Sequence, residues 1–315
     1  MELFRTPDER FAGLPEFPFV PRYVSVTVDG AAARMHYVDE GNGESGTVLM
    51  VHGMPTWSYL YRRMIPPLVE AGYRCIAPDH IGFGKSDKVL DDGWYSIERH
   101  SLALRALIEG LDLERLTLVC QDWGGPIGLR QAVDMPGRFD RLAILNTWLH
   151  HEGFEYTPAI RRWQSLWQPG GGMEQAQGCG LVLQNFLANF PHGAATQLTR
   201  EQAFQAYEAP FPDRASKAGP RRFPLSIPID GQNPESAAEQ QRCWEALLSW
   251  AKPVHFIWGT ADLVFTEAWG REWAARLPQA TFDALNAGHF PQETHGQEIA
   301  ELLLGRIGAE ARDTR

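Results

Sequence analysis

Along the chain, hydrophobic and polar positions change period twice. Residues 23–29 (Tyr-Val-Ser-Val-Thr-Val-Asp) alternate and are rich in β-branched side chains, which predicts a strand. Residues 33–40 form its hairpin partner, with Asp29-Gly30 as the turn signal between them. Beyond this point the alternation stops. Short continuous apolar runs follow at 47–52, 74–78, 116–121, 141–146, 254–258 and 280–285. Segments of helical period lie between most of them, such as Ile97 to Gly110 and Ile127 to Met135. Buried strands alternating with helices predict a doubly wound, mostly parallel α/β sheet, here with an antiparallel start.

One interval departs from this rhythm. Residues 148–228 carry no strand pattern but hold amphipathic stretches at Ala159 to Trp167, Leu181 to Phe190 and Arg200 to Tyr207. Eighty residues is far too long for a strand-to-helix connection. The expectation is a helical cap inserted after the strand at 141–146, between core segments 1–147 and 229–315. That insertion point is the carboxyl edge of the sheet, where open α/β folds bind ligands.

The richest segment chemically is Leu116-Thr-Leu-Val-Cys-Gln-Asp122-Trp-Gly-Gly125. A buried strand ends at an acid and a helix starts at once, with small residues at Cys120 and Gly124. This is the nucleophile elbow of α/β hydrolases, with Asp122 where esterases carry Ser, and no GxSxG occurs in the chain. Serine-esterase chemistry is thereby excluded. A carboxylate at the elbow can attack carbon by displacement and form an ester with it. The strand at 47–52 runs into His52-Gly-Met54-Pro55. In this fold the backbone N–H of Met54 and that of Trp123 are the expected oxyanion donors, and His52 is expected to orient the loop. Asp262 and His289 each lie just past a predicted strand, giving the chain order nucleophile, acid, base. The loop Asp79-His-Ile-Gly-Phe-Gly-Lys-Ser-Asp87 fails both nucleotide-binding glycine patterns and is read as structural.

Composition narrows the partners. Charged residues make up 22% of the chain and the formal charge is −10, with no basic run, which disfavours nucleic acid and anionic membranes. No apolar stretch is long enough to span a bilayer, and the first ten residues lack a signal-peptide core. No HExxH or zinc spacing occurs, so neither metal nor cofactor is expected. Cys75, Cys120, Cys179 and Cys243 are widely spaced and read as reduced thiols of a cytoplasmic protein. No heptad or exposed apolar stripe signals assembly, so a monomer is expected.

Together these segments resemble the haloalkane dehalogenases of the α/β-hydrolase superfamily. The resemblance runs through Arg5-Thr-Pro-Asp-Glu-Arg-Phe11, His52-Gly-Met-Pro-Thr-Trp-Ser-Tyr-Leu-Tyr-Arg62, Gly82-Phe-Gly-Lys-Ser-Asp87, Gln121-Asp-Trp-Gly-Gly125, Ala209-Pro-Phe-Pro-Asp213 and Ala287-Gly-His-Phe-Pro-Gln292. It implies an eight-stranded sheet, a small apolar halogenated substrate and a halide product. It also implies an Asp122–His289–Asp262 triad, since the alternative acid position after the strand at 141–146 is Asn146. Many dehalogenases hold halide with an Asn between Gly and Pro, where this chain has Met54, which has no side-chain N–H. The chain is similar instead to the branch that uses two tryptophans, here Trp123 and, from the cap segment Ala159-Ile-Arg-Arg-Trp163, Trp163 in preference to Trp167. Ile160, Phe186, Phe223 and Phe290 are the expected pocket residues. Two other readings stand beside this one. An epoxide hydrolase of the same fold would use cap tyrosines such as Tyr156 and Tyr207, and a non-catalytic ligand-binding member is the other.

Overall fold

The computed structural model describes residues 2–28, 30–173 and 198–313. An eight-stranded sheet forms the centre. In chain order, a two-residue strand β1 (Leu3–Phe4) precedes the hairpin β2 (Arg22–Val28) and β3 (Ala31–Glu40), then β4 (Gly46–Val51), α1 (Ile65–Glu70) and β5 (Tyr73–Pro78). A two-residue β6 (Lys88–Val89), which pairs only with β1, leads to α2 (Ile97–Gly110), β7 (Leu116–Asp122), α3 (Gly124–Asp134) and β8 (Phe139–Thr147). Among the described residues no strand follows until β9 (Val254–Gly259); the interval holds α4 (Pro158–Trp167), α5 (Arg200–Glu208), α6 (Ala218–Leu225) and α7 (Pro234–Leu248). The chain then runs through α8 (Glu267–Ala275), β10 (Ala280–Leu285) and α9 (Pro291–Asp313). The spatial order is β10-β9-β8-β7-β4-β5-β3-β2, parallel except where β3 meets β2 and β5.

Successive side chains of the inner strands point to opposite faces, and both faces are covered. Leu49, Leu118, Leu142 and Phe256 join the core under α2, α3, α7 and α8. Met50, Val119, Ala143 and Ile257 join the one under α1 and α9. This is why these strands read as unbroken apolar runs, whereas the half-covered β2 alternates. The hairpin turn falls where Val28 pairs with Ala31, with Gly30 at φ +75°.

Helix α3 begins three residues before its apolar period does. Gly124 and Gly125 are poor helix formers and mask the start. A Cβ at Gly124 would sit 2.0 Å from the carbonyl oxygen of Val51 on the neighbouring strand, so the close packing demands the glycine. The stretch Leu181 to Phe190 lies outside the described residues. Among the described residues no helix is long and apolar enough to cross a membrane.

Candidate active site

The carboxyl ends of β4, β7, β8, β9 and β10 lie along one edge of the sheet, and the loops leaving them carry Met54, Asp122, Trp148, Asp262 and His289. Asp122 sits at φ +51°, a left-handed conformation that costs a non-glycine residue strain and turns its side chain up from the sheet edge. The strain is held by neighbours. Thr147 Oγ1 donates to the Asp122 carbonyl oxygen at 2.5 Å, and the Met54 N–H donates to Asp122 Oδ1 at 2.8 Å. A Cβ on Gly53 would lie 2.2 Å from that same Oδ1, so only glycine lets the two loops meet.

Oδ2 of Asp122 lies 3.5 Å from His289 Nε2. On the far side of the ring, His289 Nδ1–H donates to Asp262 Oδ2 at 2.8 Å. Asp262 is fixed in turn by the Val264 N–H at 2.7 Å and by Asn146 Nδ2 at 3.0 Å. Gln121 Nε2 donates to the His289 carbonyl oxygen at 2.8 Å, tying the His289 loop to the residue beside Asp122. All three ionisable groups are buried. Burial by itself lowers the pKa of His289, but the Asp262 and Asp122 carboxylates outweigh it and raise the imidazole to about 10.

Behind the loop that carries Met54, His52 Nε2 accepts from the His80 N–H at 3.0 Å, and its Nδ1 is 2.8 Å from the Gly53 carbonyl oxygen. Both nitrogens are occupied by backbone, which makes His52 a loop anchor. The Asp79 loop is a brace and not a phosphate cradle. Its carboxylate accepts from the Ser58 N–H at 2.7 Å and the Lys85 N–H at 2.8 Å, with His36 Nδ1 at 2.7 Å. Desolvation would raise this carboxyl, yet His36, His52 and the Ser58 N–H together bring it to about 2.

An apolar cavity opens over Asp122. Met54, Asp122, Trp123, Trp148, Val264, Phe265, His289 and Phe290 line its sheet side, and Tyr156, Ile160, Trp163 and Ile227 its helical side. The structure therefore gathers Ile160, Phe290 and Trp163 around the same space as Asp122. Trp167 packs edge-on against Trp163 (centroids 5.5 Å apart) and is buried away from the cavity. Phe223 is not among the described side chains placed around this cavity; its ring packs against Trp123, with centroids 4.7 Å apart, stacks on His100 at 4.8 Å and lies beside Phe83 at 5.1 Å. Its apolar character reflects packing of α6 onto the core. Phe186 lies outside the described residues.

Tyr207 is likewise remote from the cavity. Its hydroxyl donates to Glu293 Oε2 at 2.7 Å, inside a buried cluster in which Arg62 pairs with both oxygens of Glu293 at 2.6 and 2.8 Å. Sequence reasoning missed Trp148, Val264, Phe265 and Ile227 as lining residues. The first three directly follow a strand end or the predicted acid, which was the available signal; Ile227 had none. Among the described residues no group of three or more His, Cys, Asp or Glu is placed to hold a metal ion, and Cys75, Cys120 and Cys243 are buried free thiols.

A strained acid at a strand-to-helix elbow, an ordered acid and base on later loops, and a covering helical segment define an α/β hydrolase. The family model described as alpha/beta hydrolase fold matches residues 46–296. Among characterised relatives, a haloalkane dehalogenase of Psychrobacter cryohalolentis is 39% identical over 96% of this chain and 97% of its own length. One of Mycolicibacterium paratuberculosis is 38% identical over 96% and 98%. The tetrameric structure of the haloalkane dehalogenase DpaA from Paraglaciecola agarilytica superposes with a TM-score of 0.85 at 37% identity, covering 96% of this chain and 97% of that one. The chain belongs to the haloalkane dehalogenases.

Proposed function

We propose that the hydrolytic dehalogenation of its family runs in this chain through an alkyl ester on Asp122. The Met54 N–H holds Oδ1, which leaves Oδ2 to attack the halogen-bearing carbon from behind and expel halide. The cavity receives a small apolar halogenated substrate, and the departing halide is held by the indole N–H groups of Trp123 and Trp163. Hydrogen bonds to a charged partner are worth roughly 1.5–3 kcal/mol each, so two donors matter where water is excluded. Met54 cannot add a side-chain donor, which places the burden on the tryptophan pair.

Alkylation neutralises Asp122 and removes one of the two carboxylates that keep the His289 pKa high. The imidazolium gives up its proton; the neutral ring then takes one from water, and the hydroxide attacks the ester carbonyl carbon while Asp262 stabilises the re-formed imidazolium. The tetrahedral oxyanion forms on Oδ1, held by the Met54 N–H together with that of Trp123. Collapse breaks the bond between the carbonyl carbon and the alkyl oxygen, which takes the imidazolium proton and leaves as alcohol. The re-formed Asp122 carboxyl returns its proton to His289, so that the net proton is the one the imidazolium gave up, and it leaves with the halide. Overall, alkyl halide and water give alcohol, halide and a proton, with no metal or cofactor. In this reading residues 148–228 act as the cap over the core segments 1–147 and 229–315, in a cytoplasmic monomer.

The observation that carries the reading is the approach of His289 to Asp122 at 3.5 Å beneath an apolar, tryptophan-lined cavity. An epoxide hydrolase would need two tyrosine hydroxyls over Asp122. Tyr156 faces the cavity, but the Tyr207 hydroxyl is engaged with Glu293. Incubation with a series of bromoalkanes, run beside styrene oxide, separates the two. The expected result is one bromide per alcohol from the bromoalkanes and no diol from styrene oxide; the opposite pattern would overturn the assignment.

A further inference from the structure

Behind the Met54 loop lies a set of buried contacts that the reaction above does not use. The peptide between Gly53 and Met54 presents its N–H to Asp122 Oδ1 at 2.8 Å. Its other end, the Gly53 carbonyl oxygen, accepts from three donors. The Thr56 N–H lies at 3.1 Å, the Thr56 hydroxyl at 3.0 Å and His52 Nδ1 at 2.8 Å. The His52 ring donates with Nδ1 because its Nε2 accepts from the His80 N–H, and burial lowers its pKa and keeps it neutral. His80 Nε2 in turn lies 2.8 Å from the His52 carbonyl oxygen. His52, Gly53, Thr56 and His80 are all buried.

One donor satisfies a buried carbonyl, so three on a single oxygen do something more. In a planar trans peptide the C=O and the N–H point to opposite sides. Donors that fix the Gly53 oxygen therefore aim the Met54 N–H at Asp122. They also draw electron density away from the nitrogen through the amide resonance, and hydrogen bonds in such a chain strengthen one another. Of the three, the Thr56 hydroxyl is the one that can be removed without touching the backbone or the histidine pair.

We infer that Thr56 is a positioning residue for ester hydrolysis, acting through the Gly53–Met54 peptide on the N–H that faces Oδ1. The inference rests on the Asp122 ester reading and adds a residue to its second step. The two steps feel that N–H in opposite ways. In alkylation Oδ2 bonds to carbon, the carbon–halogen pair leaves with the halide, and the carboxylate loses the charge that the N–H holds. In hydrolysis hydroxide bonds to the carbonyl carbon and the displaced π pair settles on Oδ1, so charge grows opposite the same N–H. A stronger, better aimed N–H speeds the second step and gives the first no help.

The test is made in Asp262→Asn, where hydrolysis is expected to be slow enough for the ester to accumulate. The protein is mixed with 1-bromobutane and quenched at intervals. Bromide gives the rate of alkylation, and the butyl mass on the peptide containing Asp122, after excess bromide-yielding substrate is removed, gives the rate of ester decay. Adding Thr56→Val should slow decay by about 5-fold, the usual net worth of one neutral hydrogen bond, and leave alkylation within about 2-fold. Thr56→Ser keeps the hydroxyl and should restore decay. Thr56→Ala also lacks the hydroxyl and reads the same two rates if Thr56→Val fails to fold. Unchanged decay in the variants without the hydroxyl would overturn the inference, and so would alkylation and decay slowed by the same factor, the mark of a merely structural role. Either result leaves the ester reading intact. Bromide release with no butyl mass on that peptide would instead remove the ester reading and this inference with it.

Discussion

On the sheet side of the cavity Asp122, Asp262 and His289 are each held by hydrogen bonds from neighbouring strands and loops. Asp122 is fixed by Met54 and Thr147, Asp262 by Asn146 and Val264, and His289 by Asp262 and Gln121. On the helical side the cavity rests on aromatic packing and few polar ties. Helix α4, which bears Ile160 and Trp163, is joined to the core by Thr157 Oγ1 on the Val264 carbonyl oxygen at 3.2 Å and to α6's end by Gln164 Nε2 on the Ile227 carbonyl oxygen at 3.0 Å. Trp163 is only half-buried. A wall that must hold reacting atoms to within fractions of an ångström is built from short, saturated polar contacts. A wall that shapes and admits a substrate is built from side chains that can be exchanged without moving the others.

The comparison is broken most severely on the sheet side. Asp262→Asn keeps the shape and removes the charge that supports the imidazolium, so steady-state halide release should fall roughly 1,000-fold while the first alkylation survives. Asn146 Nδ2 touches Asp262 Oδ2, and adding Asn146→Glu should therefore return part of the lost turnover. The same substitution has a pH signature. The folded pKa of His289 lies above its unfolded value, so the charged triad stabilises the fold fully below about 6.5, and that contribution is lost as pH rises through about 10. The stability gap between wild type and Asp262→Asn in urea should accordingly be widest near pH 6 and close at high pH; a gap that grows with pH would contradict it. On the helical side, Trp163→Phe should weaken bromide binding about 10-fold or more, and Trp167→Phe less than about 3-fold. Bromide inhibition of turnover reads both, and a larger effect at Trp167 would reverse the assignment. The smallest effect lies away from the cavity, where α5 meets α9. Tyr207→Phe removes one donor from Glu293 but leaves Arg62 in place, so Tm should drop by about 2–4 °C with kcat changed less than about 3-fold.

The same contrast governs what could be read from the sequence. Strands buried on both faces leave unbroken apolar runs, so the strands of the sheet and the positions of Asp122, Asp262 and His289 at strand ends were legible. So was the long interval without a strand pattern between β8 and β9. Lining residues were less so. Phe223 and Phe290 look alike as apolar side chains near the right motifs, yet one packs against Trp123 and the other faces the cavity. That choice depends on helix rotation and tertiary packing, which carry no local period. Trp148 shows the reverse: its position after a strand end was visible, but nothing in a lone tryptophan says that it faces the cavity. The start of α3 was hidden for a third reason, since the residues that packing requires there are the ones that helix propensity disfavours.

The central claim is that carbon is transferred to Asp122 before water enters, with His289 needed only for the second step. The direct measurement is mass spectrometry of His289→Phe after incubation with a bromoalkane, alongside quantified bromide. The account predicts about one equivalent of bromide per enzyme, then arrest, with the alkyl mass retained on the peptide containing Asp122. Sustained turnover by this variant, or bromide release with no mass added to that peptide, would contradict it.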